Sequence, residues 1–444
     1  IAEPYEGFPA DKAGLKAGDK LLEIDGKSVK GKTTQEVSSV LKGQPGVEVK
    51  LLIERPGVKE SILKEFTREE VKVKAIPYMG MVDDGIAYVR LRSFTRNCAN
   101  EVKQAIVKLK DENDVQGLVL DLRGNPGGLL NESVDLCNLF IDKNQEVVST
   151  KGKIKEWEKS YKTHHNPLDT ELPLVVLINQ SSASASEIVS GTMQDVDRGV
   201  IIGKKSFGKG LVQQTRKLSY NSQLKVTVAK YYTPSGRCIQ ALDYGNRNDD
   251  GSVGKVADSL KTAFHTKNGR VVYDGGGVDP DITVNQDMYA EIVGSLLSKQ
   301  LIFDFATQFV INNDSIDIPG EFKVSDDLYE DFVKFLIDKD YEYETNTEKQ
   351  LAELIELAED EYVEFKVDLV ELQNKLLSYK EDDLHKYQSQ ISELIRSELM
   401  ARYYYQEGRI IASLADDIVL DEAINLLHDN ERYKGILSGK IDAK

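Results

Sequence analysis

The stretch LPLVVLINQSSASASEIVSG, residues 172–191, contains the change of texture that decides the fold. Its first half is a continuous apolar run, which predicts a strand buried on both faces. A helix is predicted to follow, from about Ser184 to Asp195. Similar apolar runs occur at GIAYVRL (85–91) and GLVLDL (117–122), with a helical pattern between them. Apolar strands that alternate with helices indicate an α/β fold with a mostly parallel sheet, covered on both faces.

The pattern of strand-like and helical segments also divides the chain into three predicted domains. Residues 1–76 combine short strand-like segments with Pro-Gly turns, which is typical of a β-rich domain. Residues 77–287 contain the alternation of strand and helix. Residues 288–444 have no proline after Pro319 and carry apolar residues at helical spacing, so we expect a helical C-terminal region.

Composition narrows the classes of function. The chain has 57 basic and 74 acidic residues, a net charge of −17, which argues against nucleic acid and anionic membranes as partners. No run approaches the roughly 18 apolar residues of a membrane-spanning helix. Cys98, Cys137 and Cys238 are far apart, so we expect three separate, mostly buried thiols without a disulfide framework or metal-ligand spacing.

A cluster of serines lies where the strand of 172–179 gives way to the helix. Ser181, Ser182, Ser184 and Ser186 all fall in this turn. One interpretation is a nucleophile presented beside the N–H groups of a helix N-terminus, which can stabilise an oxyanion. The alternative is that these small residues only cap the helix and pack closely.

The segment GKKSFGKG, residues 203–210, resembles a phosphate-binding loop but lacks an essential part. That loop requires Ser or Thr after its lysine, and it opens a helix. Here Gly210 follows Lys209, and the next residues look like a strand. Lys209 is therefore either an exposed turn residue or the base for a serine, with Gly208 and Gly210 allowing close approach of the backbone.

The histidines offer no clear alternative base, because all five lie in polar loops or in the helical region. The segment GLVLDLRGNPGGLLNES (117–133) adds a glycine-rich turn after a strand. Its glycines are Gly124, Gly127 and Gly128. Backbone N–H groups of such a turn can face a developing oxyanion, although an ordinary strand-to-helix turn has the same composition.

Four motifs, in this order and spacing, resemble the carboxyl-terminal processing (tail-specific) serine proteases. They are DLRGNPGGLL, INQSSASASEIVSG, GKKSFGKGLVQ and YYTPSGRCIQ. PADKAGLKAGDKLLEIDGKSV (9–29) resembles part of a PDZ domain, and GGGVDPDITV (275–284) is similar to the segment that closes the protease core. We expect the sequence to begin inside the PDZ domain, after its carboxylate-binding loop.

The resemblance implies roles for six residues. Ser184 corresponds to the nucleophile, Lys209 to its general base, and Gln213 to the residue that orients the lysine. The N–H of Ala185 and that of either Gly127 or Gly128 would form the oxyanion hole. Because a lysine acts as a base only when neutral, and burial favours the neutral amine, we also expect an apolar, tightly packed site around it.

The implied activity is that of a serine endopeptidase that cleaves proteins near unstructured C-terminal tails through an acyl-enzyme. No metal or cofactor is expected, and Asp274, Asp279 and Asp281 lack the spacing of a calcium loop. The resemblance implies a location in the cell envelope, in the periplasm. We further expect self-association through the helical region, whose apolar stripe at 351–377 must be covered. The alternatives are a non-catalytic PDZ and helical binding scaffold and, less favoured, a nucleotide-binding enzyme.

Overall fold

The computed structural model describes residues 1–247, 250–285, 289–361, 363–380 and 382–441, without the side chains of 246, 358–361, 363, 364 and 366. The chain forms two compact units. One contains the described residues of 1–72 and 287–416, and the other contains those of 73–286 and 417–444. Among the described residues, no helix combines the length and apolar character that crossing a bilayer requires.

The first unit begins with an antiparallel sheet in the order β2-β1-β3-β4. These strands and the two helices beside them are β1 (Lys20–Ile24), β2 (Lys27–Ser28), β3 (Glu48–Glu54), β4 (Ile62–Thr67), α1 (Pro9–Lys12) and α2 (Thr34–Leu41). Alternate residues of β3 point inward, so Val49, Leu51 and Ile53 are buried, while Glu48, Lys50 and Glu54 are exposed. This is the β-rich N-terminal region that the sequence predicts.

The rest of the first unit is helical. Its helices are α6 (Glu291–Ser298), α7 (Leu301–Asn312), α8 (Asp326–Phe335), α9 (Asn346–Glu361), α10 (Val363–Lys380), α11 (Asp383–Lys386) and α12 (Gln388–Leu414). Phe305, Phe332, Ile395 and Leu399 are buried together in one core. Helices α9 and α10 pack on each other through a much smaller cluster, in which Leu351 and Leu369 are the buried members among the side chains that the structure describes.

The second unit is built on a six-stranded sheet in the order β18-β11-β10-β7-β6-β5. Its strands are β5 (Tyr78–Asp83), β6 (Ile86–Arg90), β7 (Gly117–Asp121), β10 (Leu174–Ile178), β11 (Val200–Gly203) and β18 (Ile282–Thr283). Only the pair β5–β6 is antiparallel. Every residue of β7 and β10 is buried, as expected for strands covered on both faces. The predicted α/β core with a mostly parallel sheet is confirmed.

Smaller sheets and five helices complete this unit. The strands are β8 (Glu146–Lys151), β9 (Lys159–Lys162), β12 (Leu211–Lys217), β13 (Gln223–Tyr232), β14 (Leu242–Arg247), β15 (Val253–Lys255), β16 (Ala263–His265) and β17 (Val271–Tyr273). The helices are α3 (Cys98–Glu112), α4 (Leu130–Cys137), α5 (Ala185–Asp195), α13 (Ile418–His428) and α14 (Asn430–Leu437). Cys98, Cys137 and Cys238 are free thiols, the first two buried.

The helical region predicted from residue 288 thus contributes to both units, because α13 packs on the central strands of the six-stranded sheet. The hydroxyl of Tyr433, in α14, bonds to both the N–H and the carbonyl of Leu174. Contacts of this kind join residues about 260 positions apart, which sequence texture does not reveal.

The parallel register brings three loops to one edge of the sheet. Asp121 at the end of β7 is level with Leu177 of β10, and Ile178 is level with Gly203 of β11. The turns that follow these strands therefore leave the sheet side by side. In open α/β sheets, sites form at the carboxyl ends of the strands.

Candidate active site

The first of these loops is the serine turn, residues 179–184, between β10 and α5. Ser184 directly precedes α5 and is half-buried. Its φ angle is 57° and its ψ angle is −112°, a positive-φ conformation that residues other than glycine rarely adopt. Backbone strain of this kind is found at functional sites, where the surrounding structure holds it in place.

The neighbouring serines are used in structural hydrogen bonds. Ser182 and Ser186 are fully buried. The Ser182 hydroxyl donates to the carbonyl of Leu122 at 2.8 Å, and that of Ser186 donates to the carbonyl of Asn125 at 2.9 Å. Ser181 is exposed. Ser182 and Ser186 therefore fit the interpretation that the serines pack and bond locally. Ser184 differs, because it is partly accessible and lies at the start of a buried helix.

The glycine turn, residues 123–128, is tied to the serine turn by Asn125. The Asn125 carbonyl accepts the N–H of Ala183 at 3.0 Å, and its side-chain oxygen accepts the N–H of Gly127 at 2.8 Å. Asn179 makes a second link, because its side-chain oxygen accepts the N–H of Gly124 at 3.0 Å. The two turns therefore form one hydrogen-bonded assembly.

Close packing at this assembly requires glycine at two positions. A Cβ on Gly127 would lie 2.5 Å from the Ala183 carbonyl oxygen and 2.8 Å from the Cβ of Ser184. A Cβ on Gly128 would overlap the carbonyl of Phe94. Both glycines also have positive φ angles, 94° and 153°. Any side chain here would push the glycine turn away from Ser184.

Two N–H groups at this point have no hydrogen-bond partner within the described ranges, those of Gly128 and Ala185. Gly127 differs, since its N–H is already bonded to Asn125. Ala185 is the first residue of α5, and the N–H groups of a helix's first turn have no partner within the helix. Such N–H groups are available to a negatively charged oxygen.

The lysine loop, residues 204–210, connects β11 to β12. A Cβ on Gly208 would overlap Ala241, and one on Gly210 would lie 2.8 Å from the backbone nitrogen of Gln240. The backbone of this loop therefore packs closely against residues 240 and 241. The loop leads into a strand rather than a helix, so it lacks the helix N-terminus of a phosphate-binding loop.

The structure does not enclose the side chain of Lys209 in the apolar, tightly packed site that we expected. Lys209 is exposed, as is Phe207, while the alternate residues Ser206, Gly208 and Gly210 are buried. The alternation arises because the loop is extended and presses every second residue against the core. Gln213, on β12, is also exposed, and no hydrogen bond joins it to Lys209 in the part of the chain that the structure describes.

Glu187 connects the serine turn to the lysine loop. Its fully buried carboxylate accepts the N–H groups of Ser184 (2.8 Å), Gly208 (2.7 Å) and Lys209 (2.9 Å), and the hydroxyl of Ser206 (2.6 Å). Burial raises the pKa of Glu187, and these four donors offset that effect only in part.

Tyr231, on β13, makes a second connection between the same two segments. Its buried hydroxyl lies against the carbonyl oxygens of Ser184 (3.2 Å) and Lys209. Neither Glu187 nor Tyr231 was identified from the sequence. The spacing Ser184-x-x-Glu187 is that of a helix capping box, a signal from which the glutamate could have been found.

The carboxylates considered for calcium are engaged elsewhere. Asp279 pairs with Lys205 at 3.0 Å, and Asp281 pairs with Arg270 at 2.6 Å. Within the described ranges, His, Cys, Asp and Glu side chains nowhere come together as a group of three or more that could hold a metal ion.

Comparison with known proteins identifies the class to which this architecture belongs. Residues 85–245 match the model of peptidase family S41, and residues 1–55 match a PDZ domain. Residues 292–427 match a model described as "Probable PDZ-protease, C-terminal helical domain". The three matches occur in the order in which the β-rich region, the α/β core and the helices follow one another.

Individual relatives agree with these matches. A carboxy-terminal-processing protease of Bartonella bacilliformis is 40% identical over 245 residues, which are 54% of this chain and 56% of the relative. A probable CtpA-like serine protease of Staphylococcus haemolyticus is 40% identical over 240 residues, 54% of this chain and 47% of the relative. The chain thus matches about half the length of these curated relatives.

A solved photosystem II D1 C-terminal processing protease is 30% identical, with 64% of this chain and 68% of that chain covered and a TM-score of 0.38. From the family models and the curated relatives, the chain belongs to peptidase family S41, among the carboxy-terminal-processing serine proteases that carry a PDZ domain.

Proposed function

We propose that this protein is a serine endopeptidase that uses Ser184 as nucleophile and Lys209 as general base. The observation that carries the proposal is the placement of Ser184. It is half-buried and has a positive φ angle, and it precedes a buried helix next to the N–H of Ala185, which has no partner among the described residues. Glu187 and Tyr231 hold the backbone of Lys209 against the same turn.

In the proposed reaction, neutral Lys209 removes the hydroxyl proton of Ser184, and the oxygen attacks a peptide carbonyl. The protonated lysine then donates its proton to the leaving amine, and water hydrolyses the acyl-enzyme. The N–H groups of Ala185 and Gly128 stabilise the oxyanion. Gly128 is favoured over Gly127 because the Gly127 N–H is already bonded to Asn125.

Because Lys209 is exposed, the proposed mechanism requires the substrate to shield it from water. A peptide bound across the exposed loop covers Lys209 and excludes water, which favours the neutral amine. Gln213 then orients the lysine as the family pattern implies. The site is thus completed by the substrate rather than prebuilt as an apolar pocket.

Cleavage of a folded domain with an unstructured C-terminal tail tests the proposal. We expect the tailed domain to be cut and the same domain without its tail to be resistant. Ser184→Ala should abolish cleavage with folding intact, leaving only the residual rate typical of sites without their nucleophile. Ser181→Ala, an exposed serine of the same turn, serves as the matched control and should retain activity.

Two outcomes would contradict the assignment. Activity of Ser184→Ala equal to that of wild type would show that another residue is the nucleophile. Binding of the tailed domain without any cleavage by wild type would favour the non-catalytic scaffold.

The helical region supports a proposal about assembly. On α9 and α10, the side chains of Leu357, Val367 and Tyr379 are 71%, 68% and 74% exposed. Exposed apolar side chains grouped on two packed helices favour association with another surface. We expect the protein to self-associate and Leu357→Ser with Val367→Ser to lower the mass measured by light scattering. Glu353→Ser, an exposed polar position on α9, is the control and should leave the mass unchanged.

The location in the cell envelope remains part of the proposal and rests on the family resemblance alone. Fractionation of cells that produce the protein from its own gene would test it. Recovery in the envelope fraction is expected, whereas recovery only with cytoplasmic markers would contradict this location.

A further inference from the structure

Arg123 opens the glycine turn, and its guanidinium lies between two carboxylates. One of its terminal nitrogens is 2.7 Å from Asp121 and 2.6 Å from Asp417. The other terminal nitrogen donates to Asp417 at 2.9 Å. The side chains of Asp121 and Asp417 are 0% and 8% exposed, so this ionic group is largely removed from water.

Asp121 forms the fixed side of the group. It ends β7, and its carboxylate also accepts the hydroxyl of Tyr88 at 2.5 Å and the backbone N–H of Arg123 at 2.8 Å. Burial is the largest single influence and opposes its ionisation, but Arg123, the charge of Arg90 and the hydroxyl of Tyr88 together outweigh burial and lower the pKa of Asp121. The charged state of Asp121 is therefore secured without Asp417.

Asp417 reaches the same guanidinium from the other end of the sequence. It precedes α13 and caps that helix, accepting the N–H groups of Val419 at 3.1 Å and Leu420 at 3.2 Å. Because α13 packs on β7, β10 and β11, the position of Asp417 is set by the sheet.

We propose that Asp417 is a positioning residue for the glycine turn, acting through Arg123. The inference rests on the proposed function, in which Gly128 of that turn donates to the oxyanion. Two hydrogen bonds follow Arg123 in this turn. The N–H of Gly124 donates to the side chain of Asn179, and the N–H of Gly127 donates to the side chain of Asn125. Because Arg123 and Gly128 are only five positions apart in this turn, we expect a shift of Arg123 to displace Gly128.

Because Arg123 pairs with two carboxylates, a variant of one carboxylate can test positioning without a large loss of stability. Loss of Asp417 does not leave a buried charge unpaired, because Asp121 still neutralises Arg123, and unpaired buried charges are the costly case. Asparagine is as good a helix cap as aspartate. Asp417→Asn should therefore keep α13 capped and the chain folded, while it releases one side of the guanidinium.

The chain offers a matched control in Asp429, which caps α14 by accepting the N–H of Arg432 at 2.9 Å and is exposed. We expect Asp417→Asn to lower kcat about 10-fold with KM within about twofold, because a displaced oxyanion donor acts on the transition state. Asp429→Asn should change neither constant.

Arg123→Lys, which cannot bridge two carboxylates, should resemble Asp417→Asn, and the double variant should be no worse than either single one.

A second readout is independent of cleavage. In a Ser184→Ala background, Asp417→Asn should speed hydrogen exchange in the peptide that spans 123–129, with no change after Asp429→Asn. Absence of cleavage by wild type would refute the proposed function but leave this measurement decisive. Unchanged kcat and unchanged exchange in Asp417→Asn would overturn the inference, as would equal losses in the Asp417 and Asp429 variants.

Discussion

The serine turn and the lysine loop leave adjacent parallel strands, but only the first is enclosed by the protein. Around Ser184, the neighbouring Ser182 and Ser186 are buried and hydrogen-bonded to the backbone of the next turn. In the lysine loop, Glu187 and Tyr231 hold the backbone, while the side chain of Lys209 is exposed. If Ser184 and Lys209 have the proposed roles, the nucleophile is held in place before substrate binds, whereas the environment of the base depends on the substrate that covers it.

Removing the proton-accepting capacity of Lys209 should have the largest effect. We expect Lys209→Arg to be as inactive as Lys209→Ala, with a loss of about 10³-fold or more, because a guanidinium does not deprotonate in proteins. The side chain is exposed, so arginine fits without repacking.

Lys205→Arg is the control for that experiment, since Lys205 lies in the same loop and pairs with Asp279. It should retain activity. If Lys209→Arg cleaved at a rate near that of wild type at neutral pH, Lys209 would act as an anion-binding cation and not as a base.

Glu187→Gln should break the connection between the two segments and lower kcat/KM about 100-fold, the scale of a misplacement of about 1 Å at a catalytic group. The amide has one acceptor oxygen where four donors converge. Glu36→Gln is a matched control, because Glu36 makes the same cap contact with Thr33 on α2. Equal activity of Glu187→Gln and wild type would show that the connection is not needed for catalysis.

The pKa of Glu187 permits a finer test by pH. Burial raises this pKa above its ordinary value of 4.5, so the stability linked to the group is fully present below pH 4.5 and is lost as pH rises through the folded-state pKa. Lowering the pH should therefore protonate Glu187 without loss of the stability linked to this group and should weaken its bonds to Gly208 and Lys209.

Hydrogen exchange of the peptide 204–210, corrected for the intrinsic effect of pH, would measure this weakening. We expect protection of this peptide to fall in wild type at pH values where the thermal midpoint is still unchanged, and to stay constant over the same pH range in Glu187→Gln. A parallel drop in protection and midpoint would mean that general unfolding, not the Glu187 connection, is responsible.

Tyr231→Phe should have the smallest effect. It removes one hydroxyl and leaves the carbonyls of Ser184 and Lys209 without that donor, which costs about 1–3 kcal/mol. We expect a lower thermal midpoint and a loss of activity of a few fold. Tyr232→Phe, the half-buried neighbour, is the control. A midpoint equal to that of wild type in Tyr231→Phe would show that Glu187 alone holds the loop.

The meeting of the serine, glycine and lysine segments could be predicted from sequence because it follows from strand order and register. Each segment comes directly after an apolar strand, and parallel strands end at one edge. Glu187 was within reach of the same reasoning, since a glutamate three residues after a helix-capping serine has a known use. The exposure of Lys209 was not, because the burial of a loop residue depends on which face of the loop meets the core.

By itself the sequence determined the α/β class, the helical C-terminal region and the motifs that identify the family, since these depend on local periodicity and on the order of short segments. Only the tertiary structure decided which serines are buried, which glycine N–H is occupied, and that residues 417–441 return to the sheet. The pairing of Arg123 with Asp417 joins positions 294 residues apart. Such contacts arise from the packing of α13 on the sheet, and local sequence patterns carry no record of that packing.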